Sequence, residues 1–421
     1  MVIIMLFFKE CRKVVCSAAY WLYLAMVVVM YVSQFTSELD IGIQPPSKGL
    51  ESYGWKSVEL PELMMPAATE GLVSEYLSGS YQAYPFGFYK EVKLSGRKRE
   101  EMAELIETLA GISKEELEDF QGYQEEGYGG VADQDGNIVL SYQEAVLPEL
   151  HIPEDMSYER FREFMRRADK LIGGGSRYSD EYIVGNFSRV PLTYEEAVAE
   201  YEELMQGENL GKGYARLFCD YTGIILAIMP MFVCVSLWQM DKRAGMQQLI
   251  YSRAASSVRI VGTRYLALVF CTILPVILTF VHAMAGVKAM YPERDIALGS
   301  PVVLTAVWLI PELLTVLAVG ALVSESLSPL YAIFVQGIWW FLSLSANQLT
   351  GSITRYTLLI RHNNVGKAGL FEARYSDFLW NRGFYMILSA AALGLTMLLY
   401  DRHRREEKRR VQTDFKRKSK A

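Results

Sequence analysis

The sequence predicts an α-helical polytopic membrane protein, with six transmembrane helices plus a mainly helical extracellular domain between the first two. Two observations carry this. Several apolar runs exceed the roughly 18 residues that mark a bilayer-spanning helix. Charge is also distributed unevenly: Asp40 to Lys212 holds 34 Asp and Glu against 16 Lys and Arg, a net of −18, whereas the remainder holds 26 basic against 14 acidic residues, a net of +12. The overall −6 is the sum of two unlike parts, and every long apolar run lies in the basic one. That excludes a soluble enzyme. With pI near 5.5 and no basic patch interleaved with aromatics away from the membrane flanks, the chain has no nucleic-acid signature.

The first run, Val14 to Phe35, is too long for a signal-peptide core, and Tyr31, Val32, Ser33, Gln34 is no small-residue cleavage pattern. It reads as an uncleaved span. The acidic segment that follows has none of the five cysteines (Cys11, Cys16, Cys219, Cys234, Cys271), so a disulfide framework is excluded and its own core must hold it. A cysteine-free exported domain fits a bacterial surface better than an animal one. Within it Arg97 to Ala110 is helical in pattern, Ser113 with Glu116 is a capping-box signature, Tyr158 to Ile172 follows Ser157 as N-cap, and Thr193 with Glu196 opens a helix through Met205. Gly130 to Tyr142, with Asp135-Gly136 as turn, reads as a small strand pair.

Three features of this segment have bland readings. Gly173-Gly174-Gly175-Ser176 resembles a phosphate loop but lacks the following lysine and comes after a helix, so it is a helix C-cap and loop. Asn186-Phe187-Ser188 is a sequon that a bacterial protein leaves unused. The carboxylate runs around Glu100, Glu115 and Glu195 show no EF-hand spacing and read as solvated helix faces.

The remaining spans are Tyr214 to Trp238, Ile260 to Val287, Gly299 to Val323, Leu327 to Ala346 and Phe384 to Tyr400. Orientation follows from the basic flanks: Lys9, Arg12 and Lys13 before span one; Lys242, Arg243, Arg253, Arg259 and Arg264 after span two; and ten basic against four acidic residues in 401–421. Six spans then put both termini in the cytoplasm of a multi-pass bacterial plasma-membrane protein. The outer loop 347–383 pulls the other way, with Arg355, Arg361, Lys367, Arg374 and Arg382 against Glu372 and Asp377.

No His-Glu-x-x-His, Gly-x-Ser-x-Gly or Cys-x-x-Cys occurs, and the four histidines are scattered, so neither a metal site nor a catalytic constellation is expected. Acids inside spans are the functional candidates, because a charge at mid-bilayer costs at least about 2.5 kcal/mol. Glu312, beside Pro311, is the stronger candidate for a translocation pathway, and Asp220, early in span two, the weaker. After span two, Asp241, Lys242, Arg243, Ala244, Gly245 precede Met246, Leu249, Ile250, Ala254, Val258 and Val261 at helical spacing, an amphipathic cytoplasmic helix.

The order of these parts resembles the ABC-2 type permeases, membrane subunits of ATP-binding-cassette transporters. Leu6-Phe7-Phe8-Lys9-Glu10-Cys11-Arg12-Lys13 resembles their amphipathic elbow, within 1–13. Asp241 to Ser256, with Tyr251-Ser252-Arg253, resembles their coupling helix, within 239–259. Ile360 to Asn364 with Asn381 to Tyr385 resembles the outer segment before the last span, and Asp401 to Arg405 the charged stop after it. The large outer domain, 36–213, departs from the many members that have a short loop there. The resemblance implies an exporter pathway built as a dimer, with a second copy or a paralogue. It also implies a separate ABC ATP-binding subunit carrying ATP and Mg, since this chain has no lysine-bearing phosphate loop and so no cofactor of its own. Asp241, Lys242, Arg243, Tyr251 and Arg253 would contact that subunit. The alternative is a multispan surface sensor or cell-envelope assembly factor, which needs only one or two spans.

Overall fold

The computed structural model describes residues 2–84, 90–120, 127–132, 138–143, 147–206, 208–252, 255–345, 355–366 and 368–418. In chain order the helices are α1 (Val2–Val15), α2 (Ala18–Met30), which runs through a π-helical turn at Tyr31–Phe35 into α3 (Thr36–Ile41), α4 (Pro61–Ser78), α5 (Arg97–Ala110), α6 (Lys114–Asp119), α7 (Tyr158–Ile172), α8 (Ile183–Phe187), α9 (Tyr194–Leu204), α10 (Glu208–Leu226), α11 (Met229–Arg243), α12 (Gln247–Ser252), α13 (Ser257–Met290), α14 (Gly299–Ser326), α15 (Pro329–Ser345), α16 (Ala368–Ala373) and α17 (Tyr375–Lys418). Two compact units result, one formed by Met1–Pro45 with Val198–Ala421, the other by Pro46–Ala197.

The unit Pro46–Ala197 is helical with short antiparallel strand pairs: β1 (Trp55–Ser57), β2 (Tyr81–Ala83), β3 (Lys90–Val92), β4 (Gly127–Ala132), β5 (Ile138–Gln143) and β6 (Arg189–Pro191) pair as β1 with β6, β2 with β3 and β4 with β5. The expected strand pair is β4–β5, with Val131 opposite Val139; its expected turn, Asp135-Gly136, lies outside the described residues. Ser113 accepts from the Glu116 amide while the Glu116 carboxylate accepts from the Ser113 amide, completing the capping box of α6. Thr193 and Glu196 make the same reciprocal bonds at α9, and Ser157 caps α7. The helix that sequence patterning passed over is α4. Pro66 inside it and its apolar residues on all sides hide the periodicity, yet it places Met64, Ala68, Leu72, Val73 and Tyr76 in the core against Leu105, Ile106, Phe161 and Met165. Asp169 explains the glycine run. Its carbonyl accepts from Gly173 and Gly174 and its carboxylate from Ser176, with all three glycines at positive φ, so the run is a helix C-cap.

The other unit is a bundle of apolar helices. Among the described residues five are long and apolar enough to cross a membrane: Ala18–Leu39, Asn209–Asp241, Ser257–Met290, Gly299–Ser326 and Tyr375–Glu407. Large apolar side chains are exposed along them, including Trp21, Val29, Leu278, Val281, Ile387 and Leu398. A surface of that kind is matched to lipid tails rather than water. The chain is therefore an α-helical, multi-pass membrane protein. A shorter apolar helix, Pro329–Leu344, lies among the five. At 1.5 Å per residue α15 is about 26 Å long, just under the roughly 30 Å hydrocarbon core.

Three boundaries differ from the apolar runs for physical reasons. Val14 and Val15 end α1, because the chain turns at Cys16-Ser17 and the Ser17 hydroxyl caps α2 by accepting from the Tyr20 amide. The last helix begins at Tyr375 rather than Phe384, which brings Asn381 and Arg382 inside it. The second apolar run is two helices. Pro230 has no N–H to give the Leu226 carbonyl, and the helix breaks at Ala227-Ile228. The α15 side chains of Gln336 and Trp340 donate to the Ala227 and Ile224 carbonyls at 2.5 and 3.0 Å, satisfying backbone acceptors beside the break.

Candidate functional site

Within the bundle, residues 355–366 run as non-helical backbone, with Leu358, Leu359 and Ile360 at most 1% exposed. Irregular backbone inside a membrane bundle must find protein partners for its polar groups, and polar side chains supply them. Asn381 donates to the Thr357 carbonyl (2.8 Å), Tyr385 to that of Tyr356 (2.7 Å), Arg382 to that of Leu358 (3.4 Å) and Arg216 to that of Val365 (2.9 Å); the Leu358 amide donates to the Ser343 hydroxyl (3.3 Å). Close approach depends on Gly213, where an added Cβ would lie 2.5 Å from the Val365 carbonyl oxygen.

Two buried ion pairs close this cradle. Asp220 on α10, fully buried, accepts from Arg361 Nε at 2.9 Å and from the His362 amide at 2.6 Å. Glu312 on α14, also fully buried, pairs with Arg382 Nη1 of α17 at 3.4 Å. Gly223 on α10 faces this carboxylate, and a Cβ there would meet both Glu312 oxygens at an ordinary contact distance of 3.5 Å. The pairs answer to the cost of burying a lone charge: each acid has a guanidinium, and each guanidinium also serves a segment or helix that closes over it. Several polar atoms stay without a hydrogen-bond partner among the described residues: Asp220 Oδ2, Glu312 Oε1, and Nε and Nη2 of Arg382. The cradle thus keeps acceptors and donors beyond those its ion pairs use.

Both acids singled out from sequence are therefore brought into one polar region, but their partners were missed. Arg361 and Arg382 counted there as outer-loop charge opposing the assigned orientation and as part of the segment resembling the family's outer segment, not as partners of the acids. The available signal was local: Arg361 follows the apolar triplet Leu358-Leu359-Ile360, and Arg382 precedes Gly383-Phe384-Tyr385 with no break between it and the last apolar run.

A second cluster gathers at the opposite end of the helices. Asp241 bridges Lys13 (3.2 Å) of α1 and Arg264 of α13, and Arg264 also approaches Glu10 at 3.5 Å and lies over the Trp238 ring. Trp238 donates to Glu325, whose other oxygen is 2.9 Å from His403 Nδ1. Arg404 donates to the Tyr251 and Ala255 carbonyls, and Tyr251 packs edge-on against Tyr400. A cavity of about 20 Å³, room for a single water, lies between Trp238, Asp241, Tyr251, Arg264, Glu325 and Tyr400.

This cluster corrects the reading of Asp241 to Ser256 as one helix. Asp241 and Arg243 end α11, Gly245 turns the chain at φ +63°, Gln247–Ser252 forms the separate short helix α12, and Ser256 caps α13. The helical spacing from Met246 to Val261 runs past the end of α12 and across the Ser256 cap of α13, a change of helix that periodicity alone does not register. Asp241 faces inward, and Tyr251 is half-buried. The backbone of Lys242 and Arg243 belongs to α11, and Arg253 lies outside the described residues. Among its described side chains the segment exposes the apolar Met246 and Leu249. No group of three or more His, Cys, Asp or Glu able to hold a metal occurs among the described residues.

Comparisons add no relative to this picture: no family model matches the chain, no curated protein matches it, and no solved structure matches it.

Proposed function

We propose that the chain is the permease subunit of an ABC-2 type ATP-binding-cassette transporter, an exporter that crosses the bacterial plasma membrane six times and places its Pro46–Ala197 unit outside. The observation that carries this reading is the interlock at one end of the bundle, where α1, the short helix α12 between two spans, α14 and the end of α17 are tied together by Lys13, Asp241, Arg264, Glu325 and Arg404. A permease driven by a separate ATPase needs such an end, in which a contact made on a short surface helix reaches several spans at once. The same gathering supports an even number of crossings, with α15 as the short one, because residues next to both chain ends meet there. The basic residues Lys9, Arg12, Arg402 and Arg405 near that end support a cytoplasmic side for it. The cradle of Asp220, Glu312, Arg361 and Arg382 then lies toward the outer half of the pathway.

The test pairs the chain with an ATP-binding-cassette ATPase encoded beside it. Coexpressed, the two are expected to purify together, and Leu249→Asp, on the exposed face of α12, is expected to abolish copurification while leaving the melting of the permease unchanged. A parent chain that retains no ATPase overturns the reading and favours the anchored sensor. Single cysteines at Ser80 and Ser419 in a cysteine-free variant check sidedness: an impermeant thiol reagent on intact cells should label the first and not the second.

A further inference from the structure

We propose that the stretch 50–63 of the Pro46–Ala197 unit seats on the lipid surface, with Trp55 as its interfacial anchor. The inference does not depend on the transport reading, nor on which side of the membrane the unit lies. Among the described residues of that unit, every exposed large hydrophobic side chain falls in this one stretch: Leu50, Trp55, Leu60 and Leu63, with Trp55 58% exposed. Apolar side chains scattered singly over a surface are ordinary, whereas confinement to one stretch marks a contact. The stretch is held in a fixed frame. Trp55 stands opposite Pro191 in the β1–β6 pair, the Val58 amide donates to the Ser188 carbonyl at 3.1 Å, and the Leu60 amide donates to the Ser188 hydroxyl at 3.3 Å. Tyr53 closes the turn that carries Leu50, its hydroxyl accepting from the Gly49 amide at 3.0 Å and donating to the Ser47 carbonyl at 3.2 Å.

Three observations choose lipid as the occupant. The side chains beside Trp55 are of the kind found at a bilayer interface: Tyr53 and Tyr194 meet edge-on with ring centroids 5.6 Å apart, and Lys48 lies 5.4 Å from the centre of the Tyr194 ring. Such residues put an apolar body toward the hydrocarbon and a polar tip among the headgroups. Area argues against a second copy. Four side chains expose on the order of a few hundred Å², well short of the roughly 800 Å² per partner that a stable protein interface buries. Chain connectivity supplies the third. Leu50 follows Pro45, the last residue of the membrane unit before the gap, by five residues, and Pro191 precedes Val198, where that unit resumes, by seven; the chain between them reaches at most about 18 and 25 Å. Under such a tether a weak apolar contact suffices, because the bilayer is present at high effective concentration. Glu51, Glu59 and Glu62 are exposed among the apolar residues, so the attraction is apolar and needs no anionic headgroup.

The test spin-labels single cysteines, Leu50→Cys and Leu63→Cys, with Glu104→Cys as the exposed control on α5, in the full-length cysteine-free chain held in phosphatidylcholine nanodiscs. Power saturation reads the collisions of each label with oxygen, which concentrates in lipid, and with a neutral nickel chelate, which stays in water. Oxygen collisions are expected to exceed nickel collisions at positions 50 and 63 and to fall below them at 104. The unmodified parent gives a second reading that no substitution can disturb: hydroxyl-radical footprinting in the same nanodiscs should spare Trp55 relative to the exposed His151, although tryptophan is the more reactive side chain. Nickel-favoured collisions at position 50 or 63, Trp55 oxidised ahead of His151, or shielding of the labels from both reagents with spin–spin broadening from a second copy, overturns the proposal.

Discussion

Removing the guanidinium of Arg382 should unfold the bundle more readily than any surface change, and the structure gives the size of the effect. Glu312 is fully buried and Arg382 is 2% exposed, so Arg382→Met leaves a carboxylate in a low-dielectric interior. Breaking a buried pair from one side costs about 3–5 kcal/mol, mostly the unpaired charge. In a unit of this size, roughly 2 °C of melting temperature accompanies each kcal/mol, which gives a loss of about 6–10 °C. The companion is Glu312→Leu with Arg382→Met, which removes both charges; replacing a buried pair with apolar residues is often neutral or stabilising. What remains is the Leu358 carbonyl, which loses the Arg382 donor at 3.4 Å and with it on the order of 1 kcal/mol. The double variant is therefore expected within about 2 °C of the parent. Fluorescence-monitored melting of the detergent-purified chains measures all three. A single variant as stable as the parent, or a double variant no better than the single, refutes the view that the pair is held by mutual compensation.

Three further outcomes follow from local geometry. Gly213→Ala forces a Cβ to 2.5 Å from a backbone oxygen and should destabilise by about 1–3 kcal/mol, whereas Gly394→Ala, with nothing within 4 Å, should stabilise by about 0.4–1 kcal/mol; thermal melts distinguish them. Burial pushes the Glu75 carboxyl above its ordinary range, outweighing the Tyr178 hydrogen bond and the Arg177 charge. Folding then favours the protonated form, so this group's stabilisation is complete below about pH 4.3 and is lost as pH rises through the raised folded value. Glu75→Gln, which still accepts from Tyr178, should therefore match the parent near pH 4 and slow hydrogen exchange of the α4 amides relative to it near pH 8. Ser113→Ala breaks the capping box of α6 and should cost about 1 kcal/mol, read as roughly fivefold faster amide exchange in Lys114–Asp119.

Sequence by itself determined what short-range chemistry encodes. Runs of apolar residues specified membrane helices because a bilayer imposes length and composition on each one separately. Capping at Ser113, Ser157 and Thr193 was readable because the two partners lie within one helical turn. The same locality shows why Glu312 and Asp220 stood out as anomalies in apolar surroundings, and why their meaning did not. Tertiary structure alone decided the pairing. Arg361 reaches Asp220 across 141 positions and Arg382 reaches Glu312 across 70, distances over which sequence carries no periodic signal. It also decided that residues 355–366 enter the bundle, that Asp241 turns inward to Lys13 and Arg264, and that Gln336 and Trp340 serve the break after Leu226. Each of these is a polar group whose partner is chosen by the need to leave no charge or backbone group alone in a nonpolar interior, a requirement met in space and only then visible in the chain.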